Sequence, residues 1–347
     1  MGYVEIESVL NGLDDGYKIK MDGNHQTRRD FLARLAKAGA AVALTAYVGD
    51  RFARRGEPPR AEAAGSGTVL PDFSVRGVED RLCIVTGADR IKNLNLALTA
   101  IGGIGAFIRA GDRVLLKVNA AFAVSPILSA TTHPELVAEV VRLCYKAGAA
   151  SVIVTDNPIN DPSACYTLTG IGRAAEKAGA KIMLPKAGYF KPLTVPGAGL
   201  IRDWPVLWEP FSGVTKVIGM APVKDHNRSG ASMILKNWYG LLGGRRNLFH
   251  QDIHNLIKEL ALMMKPTFVI LDGTMTMMTN GPTGGSLSDL KPTRTMIVGT
   301  DQVAVDAFGV TLLGRQASDL PYIAKAAAAG AGTASYELLN PIRIQAG

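Results

Sequence analysis

Apolar positions in this chain fall into two alternating kinds of run. Arg113-Val114-Leu115-Leu116-Lys117-Val118, after Gly111-Asp112, is a short unbroken apolar stretch of the kind that forms a strand covered on both faces. Over residues 134–147, Leu136, Val137, Val140, Val141 and Leu143 recur at helical spacing until Gly148. Residues 151–155 predict the next strand, 171–178 a helix and 181–184 a third strand. Strands and helices joined this closely predict parallel pairing with right-handed crossovers. The rhythm breaks at about 191–212, where Pro192, Pro196, Pro205 and Pro210 with Trp204 and Trp208 predict a hairpin-like excursion or insert. It resumes with strands at 214–218, 267–271 and 295–298 and helices at 252–264 and 302–313. Residues 326–334 predict a loose helix end or surface loop, and no repeat of solenoid period occurs. The expected fold is α/β: an open, mostly parallel, Rossmann-like sheet flanked by helices, with an irregular insert.

In such sheets ligands sit beyond the carboxyl ends of the strands, which gives weight to the polar residues found there. Lys117 and Asn119 end the first strand, Asp156 and Asn157 the second, and Lys224, Asp225 and His226 lie beyond the strand at 214–218. Asp272 and Gly273 follow the strand at 267–271, and Asp301 that at 295–298. A charge beside a buried strand is costly unless paired or received by a crevice, although the same residue types also make turns and helix caps. Lysine is by default a surface residue. Lys117, however, stands between Leu116 and Val118, and Lys236-Asn237 follows Met233-Ile234-Leu235. Lysines drawn into a crevice bind carboxylate or phosphate oxygens, or acquire lowered pKa values suited to proton transfer.

Histidines and glycines add candidates. His133 stands before Pro134 at a helix entrance, and His226 follows Lys224-Asp225. His250 and His254 are four apart in a segment that reads as helical. Sharing one face, they can hold a divalent metal given a third ligand such as Asp156, Asp272 or His226. The plainer alternative is a solvent-facing or core pair, since Gln251 stands where HExxH would need glutamate. Asn280-Gly281-Pro282-Thr283-Gly284-Gly285 offers backbone N–H groups to an anion, or is simply a long turn. No Lys-Ser/Thr follows it, Gly102-Gly103-Ile104-Gly105 lacks dinucleotide-loop spacing, and no GxSxG occurs.

Near the start, Thr27-Arg28-Arg29-Asp30-Phe31-Leu32 and the alanine-rich run after it resemble a twin-arginine export signal. Arg34 and Lys37 interrupt that run too early for a comfortable membrane span. Ala61-Glu62-Ala63 offers a small-x-small cleavage pattern, so residues 1–64 are expected to be signal and linker and residues 65–347 the α/β domain. The alternative is an amphipathic cytosolic helix. The expected location is exported, periplasmic in a Gram-negative cell, and membrane-retained if the signal stays uncleaved. The chain's 38 basic and 30 acidic residues include 10 and 9 within residues 1–64, so 28 and 21 lie beyond and the domain itself is positive. That favours anionic small molecules or acidic surfaces. No basic block with interleaved aromatics points to nucleic acid. Cys83, Cys144 and Cys165 are far apart and fit no zinc or iron–sulfur spacing, so an intrinsic cluster is not expected.

Taken in order, these pieces resemble the domain-of-unknown-function-362 family over about residues 80–315. They are the 111–119 strand, Thr132-His133-Pro134-Glu135, Asp156-Asn157-Pro158, Lys224-Asp225-His226, Leu235-Lys236-Asn237, and Arg245-Arg246 with His250. Lys265-Pro266 before Asp272-Gly273, the 280–285 run, and Asp301-Gln302-Val303-Ala304-Val305-Asp306 complete the set. Lys224-Asp225-His226 departs from the Lys-Thr-His common at that place in the family. The resemblance implies little chemistry beyond redox work in members with ferredoxin-like domains, which here would require a separate redox partner.

The leading expectation is an exported enzyme for an anionic small molecule, redox-linked or not, with the export machinery as its other partner. Lys117, Lys224 and Lys236 bind or polarise the substrate, and His133, His226 or His250 moves protons. Asp156, Asp272 and Asp301 orient the cations or hold a divalent metal, and Asn119, Asn157, Asn237, Arg246, Asn280, Gly281, Gly284 and Asp306 complete the ligand shell. The alternatives are a periplasmic anion- or metal-cofactor-binding or maturation protein without catalysis, and a scaffold subunit docking through Trp204 and Trp208.

Overall fold

The apolar run after Gly111-Asp112 forms a five-residue strand, and Val114, Leu115 and Leu116 are all fully buried, as a strand covered on both faces requires. The structure is a computed structural model and describes residues 69–347; the expected export signal, its cleavage pattern and the first residues of the domain lie outside the described residues.

The strands in chain order are β1 (Leu82–Thr86), β2 (Arg113–Lys117), β3 (Ser151–Thr155), β4 (Lys181–Ile182), β5 (Phe190–Leu193) and β6 (Trp204–Leu207). They continue with β7 (Lys216–His226), β8 (Gly230–Ser232), β9 (Phe268–Met277), β10 (Leu290–Lys291), β11 (Thr295–Gly299) and β12 (Ile342–Gln345). The α-helices are α1 (Arg90–Ala100), α2 (Pro134–Lys146), α3 (Pro162–Leu168), α4 (Ile171–Lys177), α5 (Ile234–Asn237), α6 (Ile253–Met263), α7 (Gln302–Gly309) and α8 (Pro321–Ala328).

Ten strands make one mixed, mostly parallel sheet in the order β12-β1-β11-β9-β7-β2-β3-β4, with β10 on β9 and β8 on β7. Strands β9, β7, β2, β3 and β4 are mutually parallel, and β11 runs against both of its neighbours, β9 and β1. The predicted insert is an antiparallel hairpin, β5 on β6, separate from the sheet. Trp204 and Trp208 are half-buried there and pack against the core, with the Trp204 ring centroid 4.4 Å from that of Phe249.

Strand alternation sends Val114 and Leu116 to the layer built by α1, α2 and α4, and Leu115 to the layer built by α5 to α8. Both faces are covered, which the alternating strand and helix runs predict. Some extents differ. The 214–218 strand runs on to His226, and Thr267–Leu271 becomes part of a strand that continues to Met277, so Lys224, His226 and Asp272 stand inside strands rather than after them. Pro222 hides that continuity in the sequence because proline cannot donate to a ladder, and the β7–β9 register shifts between Pro222 and Lys224. The 302–313 helix is α-helical only to Gly309 and ends as a 3₁₀ turn at residues 310–313. At the sheet edges, β4 is only two residues long, while β12 lies along β1 from Cys83↔Ile342 to Thr86↔Gln345.

Candidate functional site

The carboxyl ends of β2 and β3 are adjacent, with Lys117 opposite Thr155, and they place Lys117 against Asp156. Lys117 Nζ sits 2.7 Å from Asp156 Oδ1 and also donates to the carbonyls of Val118 (2.7 Å) and Asn237 (3.0 Å). Asp156 in turn accepts from the backbone N–H groups of Ala120 (2.7 Å) and Asn157 (2.9 Å). Asn237 ties the floor together: its Oδ1 accepts from Lys117 Nζ at 3.1 Å, and its Nδ2 donates to the Met220 carbonyl at 3.0 Å. A buried ion pair persists only when its remaining donors and lone pairs are met, and here they are. Gly240 makes the approach possible, since a Cβ there would lie 2.0 Å from Asp156 Oδ1 and 2.9 Å from Lys117 Nζ.

Above this floor is a crevice of about 140 Å³, walled by the overhanging end of β7, the loops after β2 and β3, and α5 with the 3₁₀ segments that follow it. Asn119, Asp156, Asn157, Lys224, His226, Lys236, Asn237, Arg246 and His250, all expected at a site, line it. Three of these are cations, and the one carboxylate among them is already matched by Lys117. Lys224 Nζ donates to the Ala130 carbonyl and stands 5.2 Å from the Phe122 ring centroid. Burial, then the charge of Lys236, pushes the Lys224 pKa down to about 7. Lys236 Nζ lies 4.8 Å from the Tyr239 ring centroid, and burial with the nearby Arg246 lowers its pKa to about 8. Arg246 is anchored by the carbonyls of Pro158 (2.7 Å) and Leu242 (3.2 Å).

Two imidazoles face each other at this wall, with ring centroids 6.1 Å apart and planes within 10°. His226 Nδ1 accepts from the backbone N–H groups of Arg228 (3.1 Å) and Ser229 (3.3 Å), so the proton of the neutral ring is on Nε2. Burial, followed by the charges of Lys236 and Lys224, pushes its pKa down to about 2, so the ring stays neutral. His250 Nδ1 lies 3.2 Å from the Asn247 carbonyl, which can only accept, so this ring carries its proton on Nδ1 and leaves Nε2 as an acceptor. Its pKa is also lowered, chiefly by burial and then by Lys236. The pair therefore supplies one donor and one acceptor beside two lysines whose protons are loosely held.

Other expected residues lie elsewhere. His133 stands by Arg90 and Asp272, which form an ion pair at 2.7 Å; its own pKa is lowered by burial and then by the Arg90 charge. Asp301 is a correction to the single-rim expectation. Because β11 is reversed, its carboxyl end opens at the opposite end of the strands, where Asp301 caps α7 through the N–H groups of Val303 (2.8 Å) and Ala304 (2.9 Å). It lines a different recess of about 320 Å³. Asp306 is fully buried and accepts from the N–H groups of Ile234 (2.9 Å) and Leu235 (3.0 Å), so it positions α5 and with it Lys236 and Asn237. Burial raises its pKa to about 7.

The 280–285 run is a structured turn. The Asn280 side chain goes to Asp289 (2.5 Å), the N–H of Gly284 to the Asn280 carbonyl (3.0 Å), and only Pro282 of the run lines the crevice. Gly281 lets it close, because a Cβ there would sit 1.8 Å from the Asp225 carbonyl oxygen. The metal pair His250 and His254 does not share a helix face. A 3₁₀ segment holds His250 and α6 begins at Ile253, so His254 instead stacks 6.1 Å from Tyr322. Among the described residues no cluster of three or more metal-ligating side chains occurs. Tyr239, Phe122, Ser232 and Gly240 also line the crevice and were not anticipated. The available signal was adjacency, since Tyr239 and Gly240 directly follow Lys236-Asn237-Trp238 and Phe122 follows Asn119 in the loop after β2.

Comparison with known proteins agrees with the residue pattern. The family model described as Domain of unknown function (DUF362) matches residues 114–311. The thylakoid-associated protein sll1697 of Synechocystis sp. is 25% identical over 265 residues, covering 73% of this chain and 78% of that protein. The lactate racemase apoprotein from Thermoanaerobacterium thermosaccharolyticum superimposes with a TM-score of 0.32 and 12% identity, over 59% of this chain and 52% of the racemase, about half its length.

Proposed function

The chain belongs to the family of the domain of unknown function DUF362, and on that premise we propose that its crevice is the active site of an acid–base enzyme for a small anionic molecule. The observation that carries this is the charge balance in a confined space: Lys224, Lys236 and Arg246 converge on about 140 Å³ with no carboxylate left to neutralise them. Such a site is completed by an anion. A bound anion holds the lysine protons, His226 Nε2–H polarises an oxygen of the substrate, and His250 Nε2 accepts a proton. The site volume suits a compact carboxylate or phosphate rather than a nucleotide.

Two experiments test the proposal. Calorimetric titration with inorganic phosphate and with two- to four-carbon carboxylates is expected to show binding that weakens as pH rises through about 7 to 8, where Lys224 and then Lys236 lose their charge. Binding that is absent, or indifferent to pH over that interval, overturns the anion site. Proton NMR in D₂O then follows exchange of carbon-bound hydrogen next to the carboxylate. His250→Gln is expected to slow that exchange about 10²-fold or more, and equal rates in the two proteins overturn the acid–base assignment.

Export belongs to the same proposal and rests on Thr27-Arg28-Arg29-Asp30-Phe31-Leu32. Replacing Arg28 and Arg29 together by lysine is expected to keep the protein in the cytoplasmic fraction of a twin-arginine-competent host. Unchanged distribution between fractions counts against export.

A further inference from the structure

We propose that Lys236 is a covalent, Schiff-base-forming residue, so that the anion this crevice accepts carries a carbonyl group next to or one carbon removed from its carboxylate. The inference rests on the acid–base anion site proposed above and adds its substrate class. The two crevice lysines are not equivalent. Lys224 Nζ is committed to the Ala130 carbonyl and its residue is 1% exposed. Lys236 is 8% exposed, and among the described residues its Nζ makes no hydrogen bond and no ion pair, only the contact with the Tyr239 ring. An amine that lines a cavity beside a second cation and has no acceptor to hold its protons is the arrangement that yields a neutral nucleophile near neutral pH. Its pKa is lowered to about 8 and that of Lys224 further, to about 7, so the choice of Lys236 rests on its uncommitted Nζ and greater exposure.

The chemistry balances without any other reactant. Lys236 Nζ forms a bond to the carbonyl carbon while the C=O π pair moves to oxygen. The two protons lost from nitrogen leave with that oxygen as water when the C–O bond breaks, giving the imine, and one further proton from solvent makes the iminium. His226 Nε2–H stands at the wall to hydrogen-bond the departing oxygen, and His250 Nε2 to take a proton from nitrogen and return it to that oxygen. Lys224 and Arg246 remain to pair with the carboxylate. An iminium withdraws electrons from the adjacent carbon, which makes proton removal there the reaction the crevice is equipped for.

The test is borohydride trapping of the whole protein with pyruvate as probe, followed by peptide mass mapping, alongside phosphate titration of the same preparation. One reduced adduct per chain is expected on the peptide containing Lys236, forming ~300-fold faster than on exposed lysines at neutral pH, the ratio set by their neutral fractions. Phosphate is expected to protect against it. An adduct on Lys224, adducts scattered over surface lysines, or none at all overturns the proposal. If phosphate still binds while no adduct forms, only the covalent step fails. If phosphate does not bind either, the anion site itself fails.

Discussion

Lys117→Met is expected to cost about 3–5 kcal/mol of stability, because it leaves Asp156 charged, buried and without its counter-ion. Lys117 is 0% exposed and Asp156 2%, so water cannot replace the lost partner. For a domain of this size the unfolding midpoint is expected to fall by roughly 6–15 °C, measured by circular dichroism at pH 7. Adding Asp156→Asn to the same chain is expected to recover part of the loss, since the uncompensated carboxylate is then gone, although the Ala120 and Asn157 N–H groups use different carboxylate oxygens and only one of them keeps an acceptor. A single mutant that melts within a degree of the parent contradicts the role of this pair as the floor of the crevice.

Lys236→Met is expected to act in the opposite direction on stability. In the folded chain the Lys236 pKa is lowered from 10.5 to about 8 and that of Lys224 from 10.5 to about 7, so each charge is less favourable there than in the unfolded chain. Replacing an unpaired buried cation by an apolar chain of similar length is expected to add about 1–3 kcal/mol near neutral pH. The sign with pH follows from the same shifts. From about pH 7 to 10 the unfolded chain holds protons that the folded chain has released, so the parent gains stability as pH rises, and the variant gains less. Phosphate affinity is expected to drop about tenfold or more, equivalent to ~1.4 kcal/mol. Denaturant melts at pH 6.5 and 9, paired with calorimetry, read both effects. A variant that is destabilised and still binds phosphate normally shows Lys236 to be a packing residue.

How much of this was written in the residue pattern differs from feature to feature. The strands β2 and β3 and the helix α2 were legible because their apolar runs are unbroken or cleanly periodic and end at Gly148 or a polar turn. The full length of β7 was not, because Pro222 reads as a terminator in a single sequence and only the pairing with β9 and β8 shows the strand passing through it. Lys117, Asp156, Lys224, His226 and Lys236 could be picked out because charged or imidazole groups beside apolar runs are costly unless something receives them. Asp301 looks the same in sequence, yet it emerges at the other end of the strands, since nothing local to 295–301 reveals that β11 is reversed. His250 and His254 show a related limit: a spacing of four defines a shared face only if the helix is continuous, and here it begins between them. Tyr239 and Gly240 were missed because an aromatic and a glycine carry no charge to mark them, although they follow the lysine they serve.

The pairing of β12 along β1 has a practical bearing on handling the molecule. Residues 342–345 satisfy the outer hydrogen-bonding groups of β1, and the N–H of Ala346 reaches the Thr86 carbonyl at 2.8 Å. Stripping this strap away bares a row of unpaired amides on an apolar strand, a template on which other chains can stack. Affinity tags or fluorescent fusions added after Gly347 therefore call for a long flexible spacer, and preparations clipped near Asn340 are expected to form fibrillar precipitates that bind thioflavin while intact ones stay clear.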